Sequence, residues 1–201
     1  LGATAEIDHT SLHPHDIARA KVYYMEGYLA ASPTGTDAAL KGRALAREAG
    51  VALAVTLSDM SMIKFCRAGL EAMLGDGVDY LFCNEEEAQV WCDTQDMGAI
   101  CAQLGTMARV VCLTRSAKGC MLIEGDQRTE VPAFAVTALD TNGAGDMFAG
   151  AFLYAATHGF THVQAAQLAN LAAGQVVSQY GNRLSHAAIA DVKARFSQVI
   201  A

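Results

Sequence analysis

Two aspartates, Asp140 and Asp146, lie six residues apart in the stretch Asp140-Thr141-Asn142-Gly143-Ala144-Gly145-Asp146. Between them, Gly143 and Gly145 carry no side chain, so the backbone can present its N–H groups to an anion at close range. The apolar run Met147-Phe148-Ala149-Gly150-Ala151-Phe152 follows and predicts a helix. The start of that helix adds unpaired N–H groups and the positive end of the helix dipole. A carboxylate aimed at an anion is repelled unless it moves a proton or works beside a cation. Asp146 is therefore a candidate general base. The plainer alternative is a capped helix start, in which Asn142 or Asp140 caps and Asp146 complements the dipole from the first turn.

Asn84 and Glu87 form a second constellation. They are three apart, so they project from one face of a first helical turn. They directly follow Asp79-Tyr80-Leu81-Phe82-Cys83, which predicts a strand. The carboxyl end of such a strand is where an open α/β sheet places ligand contacts. Against that, Glu85, Glu86 and Glu87 together also suit a solvated, dipole-complementing helix start. Further along, Asn170, Ala173, Gly174 and Val177 share one side of a predicted helix. They suit the wall of a flat base or a small-residue packing face equally well. His13 and His15 flank Pro14 and read as solvated first-turn residues without a third ligand.

The elements that position these residues alternate. Leu1 to Asp8 is a candidate strand, and Ser11 a candidate cap for a short helix running to Arg19. Val22–Leu29 predicts a strand ending at Gly27, Gly35–Ala49 a helix stopped by Gly50, and Val51–Leu57 a strand buried on both faces. Met60–Leu74 predicts one helix, closed by Gly75-Asp76-Gly77. Met97–Met107 predicts a helix and Arg109–Thr114 a strand. Arg115–Gly119 turns the chain into Cys120–Ile123, and Gln127–Phe134 predicts an antiparallel edge strand. From Gly143 onward the chain reads as helices, with Phe148, Phe152, Ala155 and Ala156 as a core stripe. Thr161 caps a helix running to Tyr180, Gly181-Asn182-Arg183-Leu184 breaks it, and Ser185 caps the last one. Strand–helix alternation implies an α/β fold with a largely parallel sheet.

With 201 residues the length suits one domain, and 52% hydrophobic against 17% charged residues argues against disorder. A net charge of −7 with no basic run argues against a nucleic-acid binder. No apolar stretch reaches membrane-spanning length. Six cysteines without a Cys-x-x-Cys pair read as buried, reduced thiols of a cytoplasmic protein.

The stretch Asp140-Thr141-x-Gly143-Ala144-Gly145-Asp146 resembles the second signature of the ribokinase family, the PfkB carbohydrate kinases. The Glu26-Gly27-Tyr28 strand, the Asn84-x-x-Glu87 motif and the long helix after the signature look most like the adenosine-kinase-like branch. The resemblance implies a ribokinase-like three-layer α/β/α sandwich with a mostly parallel sheet. It covers the carboxyl-terminal two-thirds of a family member. Residues 1–201 are therefore expected to be a single ribokinase-like domain lacking the N-terminal third and its lid, and a start at Leu1 agrees.

What the resemblance implies about function is an ATP-dependent kinase that transfers the γ-phosphate to a hydroxyl of a carbohydrate or nucleoside such as adenosine. Asp146 corresponds to the base, and the N–H groups of Asn142, Gly143, Ala144 and Gly145 to an anion hole. Glu87, with Asn84, corresponds to a residue that positions Mg²⁺ through water. Asp140 is a candidate ligand for a monovalent cation such as K⁺, beside carbonyls near Gly181. Thr114, Ser116 and Gly119 correspond to a turn along the nucleotide, with Ser116 where glycine is usual. Asn170, Ala173, Gly174 and Val177 correspond to the adenine pocket. The expected partner is a small sugar or nucleoside, with no nucleic acid and no membrane, and a homodimer is a candidate state.

Two other classes compete. A nicotinamide-type oxidoreductase using Gly143-x-Gly145 would need that motif after the first strand, with a third glycine, and neither holds. A nucleotide-binding but inactive kinase fragment is the stronger alternative. Absence of the first strands would expose sheet edge and apolar surface. Light scattering on the isolated chain is therefore expected to show self-association; a clean monomer at high concentration would contradict this.

Overall fold

The computed structural model describes residues 2 and 6–200. The strand expected over Leu1–Asp8 lies largely outside the described residues, and Ile7 and Asp8 belong to neither helix nor strand. The strands are β1 (Val22–Glu26), β2 (Ala52–Thr56), β3 (Val78–Asn84), β4 (Ala108–Thr114), β5 (Cys120–Glu124) and β6 (Gln127–Val131). The helices are α1 (Pro14–Arg19), α2 (Pro33–Glu48), α3 (Met60–Phe65), α4 (Arg67–Leu74), α5 (Glu85–Cys92), α6 (Met97–Gly105), α7 (Ala144–Ala156), α8 (His162–Val177) and α9 (His186–Val199).

The six strands form one sheet in the order β1-β2-β3-β4-β5-β6. β1 runs parallel to β2 and β2 to β3, with Glu26 opposite Thr56 and Thr56 opposite Phe82. That register brings the carboxyl ends of three strands into line. β5 and β6 are joined only by Gly125-Asp126, a link short enough for an antiparallel hairpin alone. This is the α/β sandwich expected. The described chain divides into two compact units, residues 1–111 with 123–126, and residues 112–122 with 127–201.

Local chemistry explains most boundaries, and several depart from expectation. Ser11 does not cap α1; it lies in a 3-10 turn, His9–Ser11, capped by the Asp8 carboxylate, while His13 holds the cap position of α1 without a side-chain bond. The strand expected to end at Gly27 stops one residue earlier, at Glu26, and Gly27–Ala31 coils into a 3-10 turn. A Cβ on Gly27 would lie 2.7 Å from the Thr56 carbonyl oxygen, so the turn fits against β2 only because this residue is glycine. The single helix expected over Met60–Leu74 is two, broken at Cys66, whose φ of −126° and ψ of 22° are not helical. Ser32, Asp96, Thr161 and Ser185 each cap a helix through a side-chain oxygen.

In the first unit, Leu53, Val55, Leu70, Met73, Leu81, Ile100 and Leu104 are buried. The Asp76 carboxylate fastens the loop after α4 to α2 by accepting from Arg43 and Arg47 at 2.7 and 2.9 Å. Those guanidiniums hold its carboxyl well below the usual carboxylate range. In the second unit, Leu113, Leu122, Phe148, Phe152, Leu171 and Val176 are buried, and Phe148 stacks on Phe152 at 6.4 Å. The α7 stripe therefore serves as core, which orients the start of α7. Phe152→Ala is expected to destabilise the fold by about 3–5 kcal/mol, read as a lower denaturation midpoint.

Candidate active site

Gly143 is the N-cap of α7, with φ +77° and ψ 6°, and no side chain caps this helix. Neither Asn142 nor Asp140 takes the capping role. Gly143 is required twice over: its φ is left-handed, and a Cβ there would lie 2.5 Å from the Cβ of Asn182. A Cβ on Gly145 would meet nothing within 4 Å. Packing within the described residues therefore does not explain glycine at 145.

The N–H groups around this turn split into two sets. The Asn142 N–H donates to Asp140 Oδ1 at 3.0 Å, and the Ala144 N–H donates to the Thr141 carbonyl at 3.3 Å. The N–H groups of Gly143, Gly145 and Asp146 have no acceptor among the described residues. Of the four donors expected for an anion hole, Gly143 and Gly145 are thus open, and Asp146 adds a third. The Asp146 side chain is exposed and sits in the first turn of α7. No hydrogen bond or ion pair joins its carboxylate to another described residue.

Asp140 is differently placed. Its Oδ2 accepts from the Gly181 N–H at 3.1 Å while Oδ1 serves Asn142. These two backbone bonds, Asn142 first, hold its carboxyl below the ordinary value. The carboxylate thus spends one lone pair on each of two N–H donors, and its bond near Gly181 is to the N–H rather than to the carbonyls expected beside a cation.

In the first unit, Asn84 and Glu87 form a reciprocal capping box on α5. The Asn84 side-chain oxygen accepts from the Glu87 N–H at 2.8 Å, and Glu87 Oε2 accepts from the Asn84 N–H at 3.0 Å. The Asn84 Nδ2 also donates to Glu87 Oε1 at 2.7 Å. The Asn-x-x-Glu spacing that puts two side chains on one face is equally the capping-box signature, which adds a structural role. Glu87 is only 6% exposed. Burial pushes its carboxyl up, the Asn84 N–H opposes this, and Asp59 and Glu86 push it further up.

Asp59 was not singled out from the sequence. It caps α3 by binding the Ser61 N–H and hydroxyl, and the signal for it was Ser58-Asp59 at the end of an apolar run. With Lys64, Asn84, Glu86 and Glu87 it lines a cavity of about 570 Å³ beyond the carboxyl ends of β2 and β3. No set of three or more acidic, histidine or cysteine side chains arranged to hold a metal occurs among the described residues. The donors present do not form an inner shell for Mg²⁺. A buried carboxylate with two more carboxylates nearby does fit a hydrated cation held through water.

The remaining candidates lie in the second unit. Ser116 adopts φ +51° and Gly119 φ +91°, so the serine occupies a left-handed position natural to glycine. A Cβ on Gly119 would lie 2.2 Å from the Val131 carbonyl oxygen. Thr114 ends β4 immediately before this turn. Asn170 is buried, and its Nδ2 donates to the carbonyls of Val131 and Pro132 at 3.0 and 3.1 Å. Its amide nitrogen thus ties α8 to the end of β6. Ala173, Gly174 and Val177 remain half-exposed on α8. Val136, itself 43% exposed, covers Gly174: its Cγ1 is 3.4 Å from where a Cβ would be.

Residues 1–188 match the family model described as pfkB family carbohydrate kinase. The chain belongs to that family. Adenosine kinase of Schizophyllum commune is 30% identical over 156 residues, which is 68% of this chain and 44% of that protein. Adenosine kinase 1 of Arabidopsis thaliana is 29% identical over 163 residues, 71% of this chain and 45% of that one. The crystal structure of adenosine kinase from Sinorhizobium meliloti superimposes with a TM-score of 0.89 at 32% identity, over 94% of this chain and 59% of the other. The chain thus spans a little under half the length of the curated relatives it matches. These similarities support the adenosine-kinase-like branch of a family of kinases.

Glu87→Gln tests the electrostatics. A carboxyl raised in the folded state binds protons that the unfolded chain has released. Stability is therefore lost as pH rises from the unfolded value through the raised folded one. Glutamine keeps an oxygen for the Asn84 N–H and removes the titration. The expected result is a variant whose stability no longer falls across that window, measured by urea denaturation from pH 4 upward; an unchanged pH dependence would contradict the assigned burial effect.

Proposed function

We propose that this chain forms the phosphate-handling part of an ATP-dependent kinase that transfers the γ-phosphate to a hydroxyl of a sugar or nucleoside, adenosine included. The observation that carries the reading is the start of α7. Open N–H groups on Gly143 and Gly145 stand beside an unpartnered carboxylate on Asp146, in a chain of the pfkB family.

The chemistry follows from those groups. The Asp146 carboxylate accepts the proton of the substrate hydroxyl, the freed oxygen attacks the γ-phosphorus, and ADP leaves with the electrons of the broken P–O bond. The N–H groups of Gly143 and Gly145 meet the negative charge that develops on the transferring group, and the α7 dipole adds to their effect. Ala144 holds the turn closed through Thr141. Mg²⁺ supplies charge neutralisation on the phosphates when bound. Asn84 keeps the Glu87 carboxylate oriented, and a water-held ion on Glu87 is the role the resemblance implies. Thr114, Ser116 and Gly119 supply a turn for the nucleotide, and Ala173, Gly174 and Val177 a flat wall for its base, braced by the buried Asn170.

A second reading, a nucleotide-binding kinase module that does not turn over by itself, is supported by the coverage of 44% and 45% of the two adenosine kinases named above. ATP binding measured beside acceptor-dependent ADP release separates the two on the same sample.

Asp146→Asn in the intact protein is expected to lower kcat by about 10²- to 10⁴-fold, the range for loss of a general base. ATP affinity, measured by calorimetry, should stay close to that of the unaltered protein. Normal turnover in this variant would remove Asp146 from the role of base.

A further inference from the structure

Four charged side chains line the cavity beyond β2 and β3, and they do not neutralise one another. Lys64 stands in the second turn of α3, Asp59 caps that helix, and Glu86 and Glu87 open α5. The Lys64 ammonium makes neither an ion pair nor a hydrogen bond with any described residue, and the same holds for the Glu86 carboxylate. Asp59 commits only Oδ1, to the N–H and hydroxyl of Ser61, and leaves Oδ2 open. Glu87 is bonded to Asn84, and the charges of Asp59 and Glu86 both bear on its carboxyl.

The wall that carries Lys64 is set by a strained turn. The Leu57 N–H donates to the Phe82 carbonyl at 3.0 Å, so α3 begins beside the strand that delivers Asn84 and Glu87. The Asp59 N–H then donates to the Leu57 carbonyl at 2.8 Å around Ser58, whose φ is +66°. A hydrogen bond two residues back, about a left-handed residue that is not glycine, is the γ-turn pattern, rare and costly. The Ser58 N–H donates to the Thr56 hydroxyl at 3.2 Å, and the Ser58 hydroxyl to Glu26 Oε2 at 3.4 Å, which braces the turn.

Opposite charges that share about 570 Å³ without pairing leave room for a group that carries both signs. A lone cation would answer the carboxylates and be repelled by Lys64. A lone anion would answer Lys64 and be repelled by three carboxylates. A phosphate together with its cation answers both. We propose that Lys64 binds a phosphate oxygen of the Mg²⁺-bound nucleotide, while Asp59 and Glu86 join Glu87 in holding the ion through water. Lysine suits that role as a compact point charge with three rotatable donors on a flexible stem. The identity of the phosphate rests on the kinase reading above.

The test is calorimetry on the intact protein, with ATP titrated in Mg²⁺ and again in EDTA, so it needs no turnover. Lys64→Ala should weaken binding about 10-fold in both conditions, the low end for a hydrogen bond to a charged group because Lys64 is exposed. Lys64→Arg should recover most of that loss. Glu86→Gln should split the two conditions: weaker binding in Mg²⁺, because the ion loses a carboxylate, and tighter binding in EDTA, because a bare phosphate loses a repelling charge. Tm of each variant should move by no more than about 2 °C, as for exposed positions in a chain of this size.

Unchanged affinity for ATP in Lys64→Ala would overturn the proposal. So would a loss confined to KM for the acceptor or to binding of a sugar monophosphate, which would place Lys64 on the acceptor instead. Glu86→Gln acting equally with and without Mg²⁺ would remove the carboxylates from the ion. If the unaltered protein binds ATP with Mg²⁺ but releases no ADP with any acceptor, the kinase reading fails alone and the affinities still decide the role of Lys64. If it binds no ATP, both fall.

Discussion

An α-helix cannot satisfy its first N–H groups from within, and at α7 three of them are left without any partner among the described residues. Most other helices here meet that constraint with a side chain: Ser32, Asp59, Asn84, Asp96, Thr161 and Ser185 each accept a bond from the first turn. At α7 the cap is a glycine in a left-handed conformation, which has nothing to offer. Unpaired donors, a helix dipole and an exposed Asp146 are therefore concentrated at one turn. The buried Phe148–Phe152 pair fixes the helix in the core, so the turn is the end of a rigid element.

The two carboxylates of this stretch are handled in opposite ways. Asp146 has no partner, whereas Asp140 is committed to two backbone donors. The first arrangement leaves a carboxylate open to an incoming group, and the second holds a carboxylate ionised between two backbone donors. The same contrast distinguishes Glu87 from Asp140. Glu87 is bonded to Asn84 yet raised by burial and by the neighbouring acids, and so stands to gain from a cation.

Much of this was legible in the sequence because the features are local. The strands from Val22, Val51, Asp79, Arg109 and Cys120 are short apolar runs, and Thr161 and Ser185 precede their helices as caps should. The Asp140–Asp146 stretch carried the family by itself. The misses have physical causes. Nothing local shows that Cys66 breaks a helix whose apolar periodicity continues through it. Ser11 does not cap α1 because it is drawn into the 3-10 turn His9–Ser11, which the Asx-type bond that the Asp8 carboxylate accepts from the Thr10 N–H stabilises locally. The Gly181–Asp140 bond joins residues 41 apart, and the fit of Gly143 against Asn182 spans 39, so no local pattern reports them. Asn170 looked like a ligand residue because its burial against Val131 and Pro132 depends on where β6 ends.

In the function proposed above, the open N–H groups and free carboxylate at the start of α7 serve phosphoryl transfer to a small hydroxylated acceptor. The most direct measurement is ADP release by the intact protein with Mg²⁺ and ATP, across a panel of sugars and nucleosides with adenosine among them. The account predicts release that depends on one acceptor class, with one phosphorylated product formed per ADP. ADP release indifferent to every acceptor, or ATP binding with no release at all, would contradict it.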